Sequence, residues 1–121
     1  MALRAKQVDS YYRTVRTIAS SWYVQTFHIG HTYRAGIARF TDYKRFEFDH
    51  LVILADKLTQ DDARGLEEEL QKKCREDKRE VTWRKYHPHK RKLPYYPGYN
   101  SPTPKKEIHS VYMVWWEPDD E

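Results

Sequence analysis

Apolar residues recur along this chain with two different periods, which predicts both helices and strands. Near the start, Val8, Val15 and Ile18 fall at helical spacing, with one of two neighbouring tyrosines between them. Asp9 or Ser10 is a suitable residue to cap such a helix. The pattern therefore predicts an opening amphipathic helix.

The next segment favours strands. The run WYVQTFHI at 22–29 is rich in β-branched and aromatic residues, Gly30 and His31 interrupt it, and YRAGIARF follows at 33–40. This pattern predicts a β-hairpin. The uninterrupted apolar run HLVILA at 50–55 is typical of a strand buried on both faces, so we expect it to be the central strand of the sheet.

A second helix is predicted over residues 59–75. Thr59 and Asp62 form a capping signature, acidic residues fill the first turns and cations fill the last. Four small or apolar residues share one stripe that would pack on the sheet: Ala63, Leu66, Leu70 and Cys74. Gly65 costs about 1 kcal/mol relative to alanine in a helix, so it marks either a close backbone approach or no structural requirement.

Beyond residue 80 the prolines break any periodicity until IHSVYMVWW at 108–116, which predicts a last strand. The order is helix, hairpin, strand, helix, proline-rich loop and strand. We therefore predict an α/β protein of the α+β kind, with a small, mainly antiparallel sheet and flanking helices. We expect one domain over 1–121, with its core at 8–117, a flexible N terminus and an acidic C-terminal tail.

Composition narrows the setting of the protein. The chain has 121 residues and one cysteine, so it has no internal disulfide. Its start lacks the apolar region of a signal peptide, and no apolar run is long enough to cross a membrane. These features predict an intracellular protein, in the nucleus or cytoplasm, without a membrane partner.

Charge is distributed in blocks: +6 over 1–46, −6 over 47–71, +7 over 72–92 and −3 over 93–121. The 72–92 block mixes its cations with Trp83 and Tyr86, and so offers charges for phosphates and rings for bases. The alternative is an ordinary solvated face. We interpret the pattern as that of a protein that binds nucleic acid, and we expect DNA as the partner more than RNA. The expected contact residues are Arg34, Lys72, Lys73, Arg84, Lys85, Lys90, Arg91 and Lys92.

One constellation resembles a known family. Tyr23 and Tyr33 lie ten residues apart in the predicted hairpin, and Arg39 or Arg45, an apolar strand and a helix with Glu67 follow. This order resembles the GIY-YIG nuclease domain over roughly residues 22–75. The resemblance implies that the tyrosines assist the attacking water, an arginine steadies phosphate charge, and the glutamate holds Mg²⁺ or Mn²⁺.

The hairpin register decides whether such a site can form. A two-residue turn at Gly30 and His31 places the two tyrosines on opposite faces, whereas a three-residue loop that includes Thr32 places both on one face. The nuclease interpretation requires the second register. In the alternative interpretation, the tyrosines are ordinary cross-strand residues and Glu67 belongs to an acidic solvent face with Glu68 and Glu69.

Two further patterns carry less information. Residues 83–86 read WRKY and resemble the start of the plant WRKY DNA-binding domain, but the family's zinc ligands do not follow, so we interpret the tetrapeptide as a coincidence. A zinc site is not expected, because its candidate ligands match no strong spacing: Cys74, His87, His89 and His109. Three other histidines are candidate general bases near phosphate: His28, His31 and His50.

The sequence thus supports two leading hypotheses. The first is a metal-dependent, GIY-YIG-like endonuclease that cuts DNA. The second is a non-catalytic nucleic-acid-binding module, with the chemistry of such a nuclease absent. A third hypothesis is a protein-interaction domain that uses the acidic helix and the YYPGY segment.

Overall fold

A computed structural model describes residues 4–32, 49–86 and 109–118, and these residues form three helices and three strands. The elements in chain order are α1 (Ala5–Ala19), β1 (Thr26–Thr32), β2 (His50–Leu58), α2 (Gln60–Glu76), α3 (Val81–Lys85) and β3 (His109–Trp116). Within the described residues the sheet is antiparallel in the order β1-β3-β2. The predicted α+β class with a small antiparallel sheet and flanking helices is confirmed.

Helix α1 follows the predicted apolar pattern, with Val8 and Val15 buried against the core. The predicted cap is wrong, because Asp9 and Ser10 lie inside the helix. The helix begins earlier because the side chain of Gln7 accepts a hydrogen bond of 2.9 Å from the backbone N–H of Arg4, the N-cap residue.

Helix α2 confirms its sequence prediction at both the cap and the packing stripe. The Thr59 hydroxyl accepts the backbone N–H of Asp62 at 3.1 Å. The four residues of the predicted stripe are all fully buried: Ala63, Leu66, Leu70 and Cys74. Gly65 is exposed, and a Cβ atom built there would meet nothing within 4 Å, so this glycine serves no close approach.

Strand β1 runs straight through Gly30 and His31, so both hairpin registers with a turn at these residues are wrong. Each of its seven residues pairs with β3, from Thr26 opposite Trp116 to Thr32 opposite Ser110. The glycine is needed for another reason, because a Cβ atom on Gly30 would lie 2.4 Å from the hydroxyl oxygen of Tyr112. The run at 33–40 lies outside the described residues.

The central strand of the described sheet is β3, whereas the sequence predicted the 50–55 run for that position. Six consecutive residues of β3, 109–114, are buried, so both faces of this strand are covered. Strand β2 is half-buried along 51–54, and its register shifts beyond Ile53, where Lys57 takes a positive φ of 56°. The expectation that the 50–55 run is buried on both faces is therefore wrong, and an uninterrupted apolar run does not by itself fix the position of a strand in the sheet.

The segment after residue 80 was expected to be irregular, but its described part, residues 81–86, forms α3 and ends in the core at Tyr86. Tyr86 is fully buried, makes an edge-to-face contact of 5.3 Å with Phe27, and forms an isolated parallel bridge to it. Helix α3 is tied to α1 by a hydrogen bond of 2.8 Å between the Tyr12 and Thr82 hydroxyls. The tyrosine of the WRKY tetrapeptide is therefore a core residue.

Candidate functional site

Glu67, the acidic residue singled out by the family resemblance, faces the sheet. It is fully buried, while its neighbours Glu68 and Glu69 are exposed. Its Oε1 atom lies 3.4 Å from Nδ1 of His31, which projects from the end of β1. The interpretation of Glu67 as part of an acidic solvent face is therefore wrong.

A small polar cluster surrounds this contact inside the core. The ring of His109 lies 5.6 Å from that of His31, and both histidines are buried. Gln71, one turn along α2 from Glu67, donates a hydrogen bond of 2.9 Å to the carbonyl of Ile29. Within the described residues, Nε2 of His31 is buried and has no hydrogen-bond partner. Burial of several polar groups together is costly unless they hydrogen-bond to one another, and this requirement sets the cluster apart from the apolar core around it.

Tyr23 lies far from this cluster. It occupies the turn before β1, is 41% exposed and packs edge-to-face with Trp22 at 5.7 Å. The N–H of Gln25 already bonds to the carbonyl of Trp116 in the sheet, and the six residue steps from Gln25 to His31 span roughly 20 Å of strand. Tyr23 and Glu67 are therefore at opposite ends of β1, and the residue beside Glu67 is His31.

Several predicted site residues lie outside the described residues: Tyr33, Arg34, Arg39, Arg45, Lys90, Arg91 and Lys92. His87 and His89 of the zinc candidates lie there as well. The chain leaves β1 at Thr32, one residue beyond His31, and Tyr33 and Arg34 come next in the sequence.

The residues described do not by themselves fit a metal ion. Among them no three His, Cys, Asp or Glu side chains are grouped to hold a metal. Glu67 and His31 offer one carboxylate and one imidazole, whereas Mg²⁺ prefers six oxygen ligands. Cys74 is buried, and burial raises the pKa of its thiol, which disfavours the thiolate that zinc would require.

The helices bring two basic stretches of the sequence together. Residues 4–19 hold four Lys or Arg against one Asp, and 72–86 hold seven against three Asp or Glu. The Tyr12–Thr82 hydrogen bond joins the middle of α1 to α3, and Nζ of Lys85 donates at 2.8 Å to the carbonyl of Ser21, just beyond the end of α1. Helix α1 therefore lies along α3, with cations on both.

The cations of this region differ in what they contact. Lys73 is bound at 3.0 Å to Asp9 and lies 5.7 Å over the Tyr12 ring, and the hydrogen bond to Asp9 raises its pKa. Burial lowers the pKa of Lys85. Arg13, Lys72 and Arg84 are exposed. Of the predicted contact residues that are described, Lys72 and Arg84 face solvent, whereas Lys73 ties α1 to α2.

A groove along α1 was not predicted from the sequence. This open groove has a volume of about 310 Å³, and the described residues that line it are Ser10, Arg13, Thr14, Thr17 and Ile18. The Thr17 hydroxyl donates back to the carbonyl of Arg13 at 2.8 Å, so its oxygen still accepts. The sequence did contain a signal for this groove, because its polar residues are three or four positions apart and therefore lie on one face of the helix. Arginine and hydroxyl side chains are common phosphate contacts.

Comparisons of the chain with protein-family models, curated proteins and solved structures found no match. Across the part of the chain that the structure describes, none of the helices has the length and apolar character needed to span a membrane. The site is therefore defined by its geometry alone, and the GIY-YIG resemblance stays a prediction.

Proposed function

We propose that this protein is a nucleic-acid-binding module that contacts the phosphate backbone through the paired helices α1 and α3. The observation that supports it most directly is the alignment of these two basic helices, tied by the Tyr12–Thr82 and Ser21–Lys85 contacts. Exposed arginines on adjacent helices offer fixed cations to a polyanion, and phosphate neutralisation supplies most sequence-independent affinity.

The burial of Glu67 favours binding over cleavage. A hydrolytic site must admit both a phosphate and a water molecule, but Glu67 and His31 are almost completely enclosed. Tyr23 lies at the other end of β1, so it does not contribute to the same centre. The module is therefore proposed to act without chemistry of its own.

Fluorescence anisotropy of labelled DNA and RNA over a series of salt concentrations tests this proposal. We expect affinity to fall steeply as salt rises. Arg13→Gln and Arg84→Gln should each weaken binding and reduce the salt slope by about 0.7–0.9 for every phosphate that the variant no longer neutralises. Arg64→Gln is the matched control, because Arg64 is exposed on the acidic first half of α2. Salt-independent binding, or equal effects of all three substitutions, would contradict the proposal.

A second candidate function, phosphodiester hydrolysis, is favoured by one contact, the buried His31–Glu67 pair. The test is nicking of supercoiled plasmid with Mg²⁺, with Mn²⁺ and with a chelator. Hydrolysis at this centre predicts that Glu67→Gln abolishes nicking while Glu68→Gln, one residue along the same helix and exposed, leaves it intact. Wild-type protein that does not nick with either metal rules this candidate out.

A further inference from the structure

Two aromatic rings project from the turn between α1 and β1. Trp22 is 85% exposed and Tyr23 is 41% exposed, and they are the exposed large hydrophobic residues of the described chain. Their ring centroids are 5.7 Å apart with planes at 85°, so the edge of one ring meets the face of the other. An indole this open contributes almost nothing to the core, although tryptophan is usually well buried.

The turn that carries these rings is firmly held. Val24, the next residue, is buried and its N–H donates to the Ser21 carbonyl at 3.1 Å. The N–H of Ser21 donates at 3.0 Å to Ile18 at the end of α1, and that of Gln25 donates at 2.8 Å to Trp116 in β3. The rings are therefore presented by anchored backbone, which lowers the entropic cost of binding a flat ligand.

A cation is bound to the turn that carries the exposed rings. The Lys85 ammonium is bound to the carbonyl of Ser21, the residue before Trp22, and exposed Arg84 precedes Lys85 in α3. Among the described residues, two carboxylates at this end of the sheet are engaged elsewhere: Glu117 bonds to His50 at 2.8 Å, and Asp49 accepts the N–H of Glu117 at 2.7 Å. The cation nearest to the ring-bearing turn is therefore that of Lys85 on α3.

We propose that Trp22 and Tyr23 form a stacking platform for unpaired bases of single-stranded nucleic acid, with Lys85 and Arg84 taking the adjacent phosphates. The inference rests on the proposed nucleic-acid-binding function and adds the kind of nucleic acid. Bases in a duplex are stacked on one another, whereas an unpaired base exposes a face that an indole can cover. Tyr23, expected from the sequence to be catalytic, supports the tryptophan in this arrangement.

The experiment compares a labelled oligothymidylate with a duplex of equal length, using the full chain and three forms: wild type, Trp22→Phe and Trp22→Ala. Removal of one base–aromatic stack predicts about tenfold weaker binding of the single strand by Trp22→Ala. Trp22→Phe keeps a ring and should retain most of the affinity, and duplex binding should be the same in all three forms. Bound single strand should also quench the tryptophan fluorescence of the wild type more than that of Trp22→Phe.

The outcomes separate the two proposals. Salt-sensitive binding that Trp22→Ala leaves unchanged overturns the platform and keeps the basic helices as the binding surface. Equally weakened binding of single strand and duplex also overturns it, since the ring would then be a general contact. Failure of the wild type to bind either probe at low salt removes both proposals. Because the Trp22 side chain is largely exposed, circular dichroism should show unchanged folding in both variants.

Discussion

The two described glycines predict opposite results for the same substitution. Gly65 lies in the exposed face of α2, where an added Cβ would have no atom within 4 Å, while a Cβ on Gly30 meets the Tyr112 hydroxyl oxygen at 2.4 Å and its Cζ at 2.6 Å. We expect Gly65→Ala to stabilise the protein and Gly30→Ala to destabilise it.

The magnitudes follow from the surroundings of each glycine. In α2, alanine gains about 1 kcal/mol over glycine in helix propensity. At Gly30, a contact of 2.6 Å between carbons falls about 1 Å short of the normal separation, so either the Tyr112 ring or the strand must move. Both are held in the core, and overpacking of this kind costs about 1–3 kcal/mol. The two variants should therefore differ by about 2–4 kcal/mol in unfolding free energy.

Urea unfolding monitored by tryptophan fluorescence measures the unfolding free energies of both variants. The comparison requires that the two variants have equal m-values. The substitution Tyr112→Leu adds a second test, because it removes the ring that the new Cβ would strike. The cost of Gly30→Ala should fall when it is made in that background, as a double-mutant cycle reports. If Gly30→Ala were as stabilising as Gly65→Ala, the packing of Tyr112 over β1 would be refuted.

Three further outcomes are expected. Hydrogen bonds lower the pKa of Asp56, chiefly the one from the Ser110 hydroxyl and then the one from the backbone N–H of Lys57. The ionised carboxylate therefore stabilises the fold above the unfolded pKa of about 4, and this stabilisation is lost as the pH falls through the pKa of the folded protein. Ser110→Ala should make the melting temperature fall less steeply as the pH is lowered into the acid range. Lys57→Gly should raise the urea midpoint of unfolding, because Lys57 has a positive φ and glycine adopts this left-handed backbone conformation without the strain of about 1 kcal/mol that a side chain causes. An unchanged or lower midpoint would contradict this. The thiol of Cys74 should react with a disulfide reagent only as fast as the protein unfolds, whereas rapid labelling of the native protein would show that the thiol is accessible.

Elements with local signals were predictable from the sequence. Thr59 caps α2 through a residue three positions away, and the stripe on that helix needs no knowledge of what it packs against. The last strand was also identified from its composition. These signals depend on residues close together in the sequence, so they indicate the same helix or strand whatever the tertiary arrangement around it.

Elements that depend on distant partners were not predictable in the same way. Gly30 indicates a turn when only its neighbours are considered, but it is required by Tyr112, which lies 82 positions further along the chain. Position within the sheet depends likewise on all strands together, and in the described sheet the apolar 50–55 run lies beside the central strand rather than at the centre. For the same reason α3 was missed, because its end is fixed by the packing of Tyr86 on Phe27.

In the candidate site, too, the sequence predicted individual residues but not the contacts between distant ones. Glu67 was singled out through a family resemblance, and His31 was considered only as a lone general base. Their contact joins residues 36 positions apart and requires the strand to continue through the supposed turn. The alignment of α1 with α3 also depends on tertiary contacts, although the two basic blocks that it joins were visible in the charge pattern.

The central position of β3 has a consequence for how the protein is made. In the described sheet β1 and β2 do not pair with each other, and β1 pairs with β3 across 78 to 90 residues of chain. During synthesis neither β1 nor β2 can pair with β3 until residue 116 has left the ribosome. Pairing over such distances is slow, and waiting strands offer unpaired backbone edges to other chains. Chaperone dependence during translation, and insolubility of a chain cut before residue 109, are the traits to expect from this strand order.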